Sequence, residues 1–123
     1  MSLRTSFRAI VTAAALLGMA TAAQAAGALA IGACAAYGYA TDYPSVAAAQ
    51  KVALKNCVGA CKRVVVTRKG CAAFAIDGHK PCGPHGYANA RRLGEAQNIA
   101  LKYCYKYGGK DCVIRAWICD AKG

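Results

Sequence analysis

The most informative part of this sequence is Gly86-Tyr87-Ala88 with Ala96-Gln97, Ala100-Leu101-Lys102 and Cys104, because the same residues occur once before in the same order. The earlier copy, 47 or 48 residues upstream, reads Gly38-Tyr39-Ala40, Ala49-Gln50, Ala53-Leu54-Lys55 and Cys57. Laying one copy over the other also matches Ala28-Leu29-Ala30-Ile31 with Ala73-Phe74-Ala75-Ile76. The chain is therefore predicted to be two copies of one structural unit.

Residues 1–25 have the form of an export signal and not of a folded segment. Arg4 and Arg8 give a positive start, and residues 9–20 are an apolar run too short to cross a bilayer comfortably. Ala23-Gln24-Ala25 matches the small-x-small pattern at which a signal peptidase cleaves. We expect cleavage after Ala25 and a secreted or periplasmic product with no remaining membrane span; an uncleaved anchor is the alternative.

The mature chain, residues 26–123, is short and rich in cysteine. It would form one domain made of two repeats, about 27–71 and 72–119, and it contains all eight cysteines. An oxidising compartment favours four disulfides, which stabilise a domain too small to build a large core. Superposing the copies makes four pairs of equivalent cysteines, namely Cys34 with Cys82, Cys57 with Cys104, Cys61 with Cys112, and Cys71 with Cys119.

The duplication limits how these cysteines can pair. In both copies one cysteine ends the helix and another opens the next strand, so we predict Cys57–Cys61 and Cys104–Cys112. Two symmetric sets remain open for the other four. One pairs Cys34 with Cys71 and Cys82 with Cys119, and the other pairs Cys34 with Cys119 and Cys71 with Cys82.

Each copy has the pattern strand, strand, helix, strand. A helix is predicted over 46–57, capped by Ser45, and a second over about 93–103, where Arg92 replaces the serine and only Asn89 is near enough to cap.

The β-branched run 62–67 predicts a strand that returns as a hairpin through 71–76. The fold class is α+β, with a mostly antiparallel sheet carrying two helices, related by an approximate two-fold axis. Gly38 and Gly86 are interpreted as close-packing sites.

The tandem pattern resembles a known family. A Gly-Tyr-Ala strand, a helix with Ala-x-x-x-Ala-Leu ending in Cys, and a β-branched strand closing as Val113-Ile114-Arg115-Ala116-Trp117-Ile118-Cys119 are similar to the exported bacterial family called domain of unknown function 4189. The resemblance covers essentially the whole mature chain. It implies a small, exported, disulfide-stabilised protein with no established enzymatic activity and no catalytic residues to carry over. It does not place Cys34 and Cys82.

The sequence offers few residues that could form a catalytic or metal site. The mature chain has one serine, Ser45, which is needed as a helix cap, and its paired cysteines leave no spare thiol as a nucleophile. His79-x2-Cys82-x2-His85 offers ligands that zinc or copper accepts, but copy one has no histidine and the compartment is oxidising. We expect no enzyme, no cofactor and no metal.

The sequence contains more residues suited to a binding surface than to a catalytic site. Removing Arg4 and Arg8 from 16 basic residues leaves 14 against five acids, a formal charge of +9 that favours an anionic envelope polymer or protein partner. Nucleic acid is not expected, because no recognised motif is present and the protein is exported. Tyr39 and Tyr87, which are duplicated, are predicted to be core residues. The candidate binding residues flank the second helix: Arg91, Arg92, Tyr105, Lys106, Tyr107 and Lys110.

Two functions follow from these observations. The first is a small exported binding or effector module that is not an enzyme. The alternative is an envelope-acting hydrolase or hydrolase inhibitor with its site in the irregular loop from Asp77 to His85. A cleft joining that loop to an acid would favour the hydrolase, and a basic surface would favour the binding module.

Overall fold

The structure is a computed structural model that describes residues 25–120. The predicted signal segment lies outside these residues apart from Ala25, and its cleavage stays a prediction. No helix within 25–120 is long and apolar enough to cross a membrane.

The pattern strand, strand, helix, strand occurs twice, as the duplication predicted. The first unit comprises β1 (Ala26–Gly32), β2 (Tyr37–Tyr43), α1 (Val46–Lys55) and β3 (Cys61–Arg68). The second unit comprises β4 (Cys71–Asp77), β5 (Lys80–Ala90), α2 (Leu93–Lys106) and β6 (Cys112–Cys119). The mixed α+β class with two helices is therefore confirmed.

The strands form two antiparallel three-stranded sheets, one from each unit, in the orders β2-β1-β3 and β5-β4-β6. The central strands β1 and β4 are buried on both faces. Their larger side chains, such as Leu29 and Phe74, share one core with residues of the other sheet. Their alanines face the helices, as where Ala28 and Ala30 pack with Ala49 and Ala53 of α1. The layers are thus helix, sheet, sheet, helix.

Both helices lie unusually close to their sheets, and a glycine makes room for each. A side chain on Gly38 would meet the carbonyl carbon of Asn56 at 2.7 Å, and one on Gly86 would meet the backbone nitrogen of Cys104 at 2.6 Å. Both glycines are therefore confirmed as close-packing sites. Alanine on the facing helix surface allows the same close approach.

The predicted hairpin between 62–67 and 71–76 is wrong. β3 and β4 are both strands, but they belong to different sheets, so the chain crosses between layers at Lys69-Gly70. Lys69, and not the glycine, adopts the positive φ of 55°. Each sheet already has its central strand paired on both sides, β1 with β2 and β3, and β4 with β5 and β6. Pairing within each unit therefore replaces the hairpin.

The helices begin as predicted in one copy only. Ser45 caps α1, because its Oγ accepts a hydrogen bond from the Ala48 N–H at 3.1 Å. Arg92 precedes α2 without a side-chain cap. Asn89 does not replace it, because its amide donates to the Val66 carbonyl of the other sheet at 3.0 Å.

All eight cysteines form disulfides, and two of the four bridges are as predicted. Cys57–Cys61 and Cys104–Cys112 each link a helix end to the next strand. Both symmetric sets for the remaining cysteines are wrong, since Cys34 pairs with Cys82 and Cys71 pairs with Cys119.

The physical reason lies in where these four cysteines stand. Cys34 lies between β1 and β2, and Cys82 lies near the start of β5, so each is close to the connection between the first two strands of its unit and bonds to its aligned counterpart in the other unit. Cys71 and Cys119 are directly opposite each other on β4 and β6. The same places in the first sheet are filled by Ala26 and Arg68, so this bridge exists in the second unit alone.

Candidate functional site

The predicted binding residues do not form one site in the structure, because they lie at different ends and sides of α2. Arg91 and Arg92 precede the first turn of α2, and Lys106 lies in its last turn. Fourteen helical residues rise about 20 Å, so these charges cannot act on one small ligand. Tyr105 is 51% exposed but lies two positions from Tyr107, which places the two rings on opposite sides of the helix.

A groove of about 620 Å³ lies beside the C-terminal half of α2. We call it the α2 groove. Of the six predicted residues only Tyr107 lines it, while Lys106 lies at its rim above Tyr103; Arg91, Arg92, Tyr105 and Lys110 are elsewhere. Its lining residues are Arg63, Gly83, Pro84, His85, Gly86, Tyr87, Tyr103 and Tyr107. None of them is acidic.

Two tyrosines form the aromatic wall of the α2 groove. Tyr103 and Tyr107 are one helical turn apart, and their rings stack with centroids 6.1 Å apart and planes 17° apart. The Lys106 Nζ lies 5.8 Å from the centre of the Tyr103 ring. Tyr107 is 63% exposed, so the wall presents a ring face to solvent next to a positive charge.

Arg63 brings a charge from the first unit into this groove of the second unit. It lies on β3, which contacts β5 along the seam between the two sheets. Within residues 25–120 its guanidinium makes no hydrogen bond and no ion pair. The α2 groove therefore joins aromatic faces from one unit with an unpaired cation from the other.

A matching groove exists in the first unit, but its arginine is engaged. This second groove, of about 450 Å³, includes Tyr37, Tyr39 and Asn56, and Arg115 reaches into it from the second unit. The Arg115 Nε donates to the Ala35 carbonyl at 3.2 Å, and its guanidinium lies 5.0 Å above the Tyr37 ring. The two grooves thus have the same arrangement, but two contacts within the protein hold the Arg115 guanidinium in a fixed orientation.

The sequence analysis did not find Arg63. It considered His85 only for a metal site or a hydrolase loop and Tyr87 only as core, and Tyr103, part of the same aromatic group, was not among the six candidate binding residues. Differences between the copies were the available signal: His85 stands where copy one has Tyr37, and Tyr103 where copy one has Asn56. No pattern within one copy could place Arg63 there. The prediction that Tyr39 is a core residue is wrong, since it is 54% exposed, whereas Tyr87 packs partly buried against the central core.

The segment from Asp77 to His85 is less irregular than its composition indicated, because β5 begins at Lys80. His79 and His85 do not face each other. The His79 Nε2 lies 2.9 Å from the Asp111 Oδ2 at an exposed surface, and the His85 ring lies in the α2 groove, edge-on to Phe74. Among residues 25–120 no group of three or more histidine, cysteine, aspartate or glutamate side chains could hold a metal ion.

Asp77 organises this end of the second unit. Its side chain is buried, and its Oδ1 accepts from the His79 N–H at 2.9 Å while its Oδ2 accepts from the Lys110 N–H at 3.1 Å. The bond from the Lys110 N–H, and then that from the His79 N–H, lowers the pKa of Asp77 below its ordinary value of 3.8. The carboxylate thereby ties the end of β4 to the chain entering β6.

We predict that Asp77→Asn destabilises the domain at pH 7, because an amide can accept only one of these two bonds and turns a donor toward the other N–H. A carboxylate with a lowered folded pKa stabilises fully above its unfolded pKa, near 3.8, and this stability is lost as pH falls through the folded pKa. Thermal melts of both proteins from pH 7 to pH 2 should show a gap in melting temperature that narrows below about pH 4. A gap independent of pH would contradict this assignment.

The fold and the grooves define a class of small disulfide-bridged α+β proteins made from two copies of one unit. The family model described as Domain of unknown function (DUF4189) matches residues 26–119, and the chain belongs to this family. The chain is also similar to a solved structure described as the NMR structure of Rv1813c from Mycobacterium tuberculosis, with 28% identity and a TM-score of 0.56. That similarity covers 77% of this chain and 74% of the other. No curated protein matches the chain.

Proposed function

We propose that this protein is a small exported binding module that uses the α2 groove to hold an acidic group of a protein or envelope polymer. The observation that carries the proposal is the composition of the groove. Stacked Tyr103 and Tyr107 stand beside Lys106 and the unpaired Arg63, and no acid lines the groove. This composition suits a ligand that is both anionic and partly flat or apolar.

Arg63 and Lys106 supply the electrostatic part of the proposed recognition. Arg63 lines the groove, where its guanidinium fork can contact a carboxylate or phosphate, and the Lys106 ammonium lies over Tyr103, which also lines the groove, and adds a second positive charge. The formal charge of +9 on residues 26–123 draws anionic partners toward the whole molecule. The groove then selects among them by shape.

Tyr103 and Tyr107 supply the apolar part. Their parallel rings give a rigid wall, and a side chain with two torsion angles loses little conformational entropy when a partner covers it. Gly83 and Pro84 also line the groove and have no long side chain to fill it. A flat or apolar body can therefore lie against the tyrosines while its acidic group reaches the cations.

Export is part of the proposal. Four disulfides persist in an oxidising compartment and are rare in a reducing one, which supports delivery of the chain to the periplasm or the exterior by residues 1–25. In that setting acidic proteins and anionic envelope polymers are the available partners.

Binding of a random copolymer of glutamate and tyrosine tests the charge of the α2 groove. We expect the double variant Arg63→Gln/Lys106→Gln to bind it about tenfold more weakly than the wild type, because two exposed charge contacts are lost. The control Lys51→Gln/Lys55→Gln removes the same net charge from exposed positions on α1 and should weaken binding less than about twofold. Equal losses in the two double variants would contradict the site.

The aromatic wall has its own matched test. Tyr107→Ala should remove the preference for the tyrosine-containing copolymer over pure polyglutamate, because the flat surface for the ligand's rings is lost. Tyr105→Ala removes a similarly exposed ring from the other side of α2 and should keep the preference. A preference lost in both variants, or in neither, would contradict a role for this wall.

The second candidate function, an envelope hydrolase or hydrolase inhibitor, rests on the 2.9 Å contact between His79 and Asp111 in the segment from Asp77 to His85. Such a pair can orient an imidazole as a general base. Ser45, the single serine of the mature chain, is engaged at the start of α1 on the other unit, so no hydroxyl nucleophile of this type stands beside the pair. The binding proposal expects His79→Ala to leave copolymer affinity unchanged.

A further inference from the structure

A second surface of this protein combines exposed aromatic rings with a positive charge. It is a shallow depression of about 410 Å³ along the seam between β2 and β6, lined among others by Tyr37, Tyr39, Thr41, Arg115 and Trp117. We call it the aromatic shelf. Tyr39 is 54% exposed and Trp117 is 53% exposed.

The aromatic shelf lies along one of the two seams at which edge strands of the two sheets meet. The two seams differ in the side-chain hydrogen bonds that link the sheets. Along the seam between β3 and β5, the Asn89 amide donates to the Val66 carbonyl and ties the two sheets together. Thr41 occupies the matching place on β2, 48 residues upstream, and within residues 25–120 its side chain makes no hydrogen bond. The seam between β2 and β6 therefore lacks this tie, and the rings beside it stand open to solvent.

The aromatic faces of the shelf are not used inside the protein. Within residues 25–120 neither Tyr39 nor Trp117 stacks on another aromatic ring, although both are more than half exposed. Tyr39 pairs with Leu29 and so presents its ring on the face between the sheets, at the shelf. Trp117 pairs with Ala73 of the helix-facing cluster, so its ring lies on the outer face of β6 beside the shelf.

Arg115 holds a fixed position beside these rings. Its Nε donates to the Ala35 carbonyl at 3.2 Å, and the guanidinium stacks 5.0 Å above Tyr37. These contacts use one N–H and one face, which leaves the terminal N–H groups to bind a ligand. An arginine oriented in this way is suited to a carboxylate, because its fork matches the two carboxylate oxygens.

We propose that the aromatic shelf binds a saccharide that carries a carboxylate. The apolar face of a pyranose ring stacks on Tyr39, and the carboxylate accepts hydrogen bonds from Arg115, with the Thr41 hydroxyl available to a sugar hydroxyl. Each element of such a ligand, a flat apolar face, hydroxyl groups and an acid, has a counterpart in this one depression. The site is separate from the α2 groove and does not depend on it.

Trp117 makes the proposal directly testable, because it is the single tryptophan of the chain and its fluorescence reports on the shelf. The folded, oxidised protein is titrated with trigalacturonate and with its methyl ester, which has the same rings without the charge. We expect a saturable change in fluorescence with the acid and at least about fivefold weaker binding of the ester, because the arginine pairing is lost.

Three variants assign that signal while keeping the tryptophan. Tyr39→Ala removes an exposed ring and should weaken binding of the acid about tenfold, as truncating an aromatic anchor does. Arg115→Lys keeps the charge but loses the planar fork, and should reduce the preference for the acid over the ester. Tyr107→Ala alters only the α2 groove and should leave the titration unchanged.

Three results would overturn the proposal. The first is a fluorescence that neither saccharide changes at millimolar concentration. The second is equal binding of acid and ester, which excludes the carboxylate contact. The third is a response abolished by Tyr107→Ala but kept in Tyr39→Ala, which would place the saccharide in the α2 groove. Vesicles of anionic phospholipid that change Trp117 fluorescence where trigalacturonate does not would show a membrane contact instead.

Discussion

Gly86→Ala is expected to destabilise the domain by about 3 kcal/mol or more, the upper end of what overpacking a close-packed interior costs. The added methyl carbon would lie 2.6 Å from the Cys104 nitrogen and 2.7 Å from the Tyr103 Cβ, and it would also collide with the Ala100 carbonyl oxygen. These atoms belong to α2, whose place is fixed by the Cys104–Cys112 bridge and by packing on β4. The helix must therefore move as a whole.

Gly94→Ala is the matched control, because it makes the same chemical change in the first turn of α2. No atom lies within 4 Å of the added carbon, and alanine is the better helix former, so this variant should gain about 0.5 to 1 kcal/mol. Urea unfolding of both variants and the wild type measures the two effects. A Gly86→Ala protein as stable as the wild type would show that α2 does not lie this close to β5.

Removing the Cys34–Cys82 bridge is expected to cost about twice as much stability as removing Cys57–Cys61. The two bridges span 48 and 4 residues, and the loss of chain entropy in the unfolded state corresponds to about 4 and about 2 kcal/mol. Paired alanine substitutions, Cys34→Ala/Cys82→Ala and Cys57→Ala/Cys61→Ala, followed by urea unfolding, measure the difference.

Complete reduction should unfold the domain, because four bridges stabilise a core built largely of alanine. Circular dichroism with increasing reductant follows the loss of structure. A reduced protein that keeps its native spectrum would contradict the view that the bridges compensate for a small core. Equal costs for the long and short bridges would contradict the entropic account of their difference.

The sequence was sufficient for the order of elements, because the duplication aligned two independent copies of each signal. Ser45 predicted the start of α1, and the spacing of small residues predicted the alanine face on which Ala49 and Ala53 pack. Gly38 and Gly86 were interpretable because they occupy matching places. Local patterns repeated twice therefore predicted local structure well.

Contacts between the two copies were not predictable in the same way. The β-branched run of β3 and the turn residues after it favoured a hairpin, but the choice between pairing with β4 and pairing with β1 depends on long-range packing. The assumption that aligned cysteines are structural equivalents failed at Cys71, which opens β4 and so matches Ala26. Both errors concern how the units meet and not what each unit contains.

The candidate site was predicted only in part, because local sequence patterns do not show which residues of the two units come together. Tyr107 was a candidate because copy one has no counterpart for it, and Lys106 because it lies next to this tyrosine at the end of the second helix. Arg91 and Arg92 are close in sequence to the same helix but lie at its other end. Arg63 is far away in sequence and reaches the α2 groove only because the two sheets stack.

The differences between the copies carry the functional account. One groove has its arginine bound to Ala35 and Tyr37, and the other has, beside stacked tyrosines, an arginine with no ion pair among residues 25–120. One seam is tied by Asn89 and the other is open beside Trp117. The duplicated fold thus presents two different candidate surfaces, the α2 groove and the aromatic shelf, where its two copies differ.

The most direct test of the central claim is a nuclear magnetic resonance titration of the oxidised protein with a short synthetic peptide that has one tyrosine among glutamates. We predict that the amide resonances of Gly83, Gly86, Tyr103 and Tyr107 shift, and that those of Gly38 and Asn56 in the matching groove do not. Shifts of equal size in the two grooves, or shifts confined to the residues around Arg91 and Arg92, would contradict the claim that the α2 groove is the binding site.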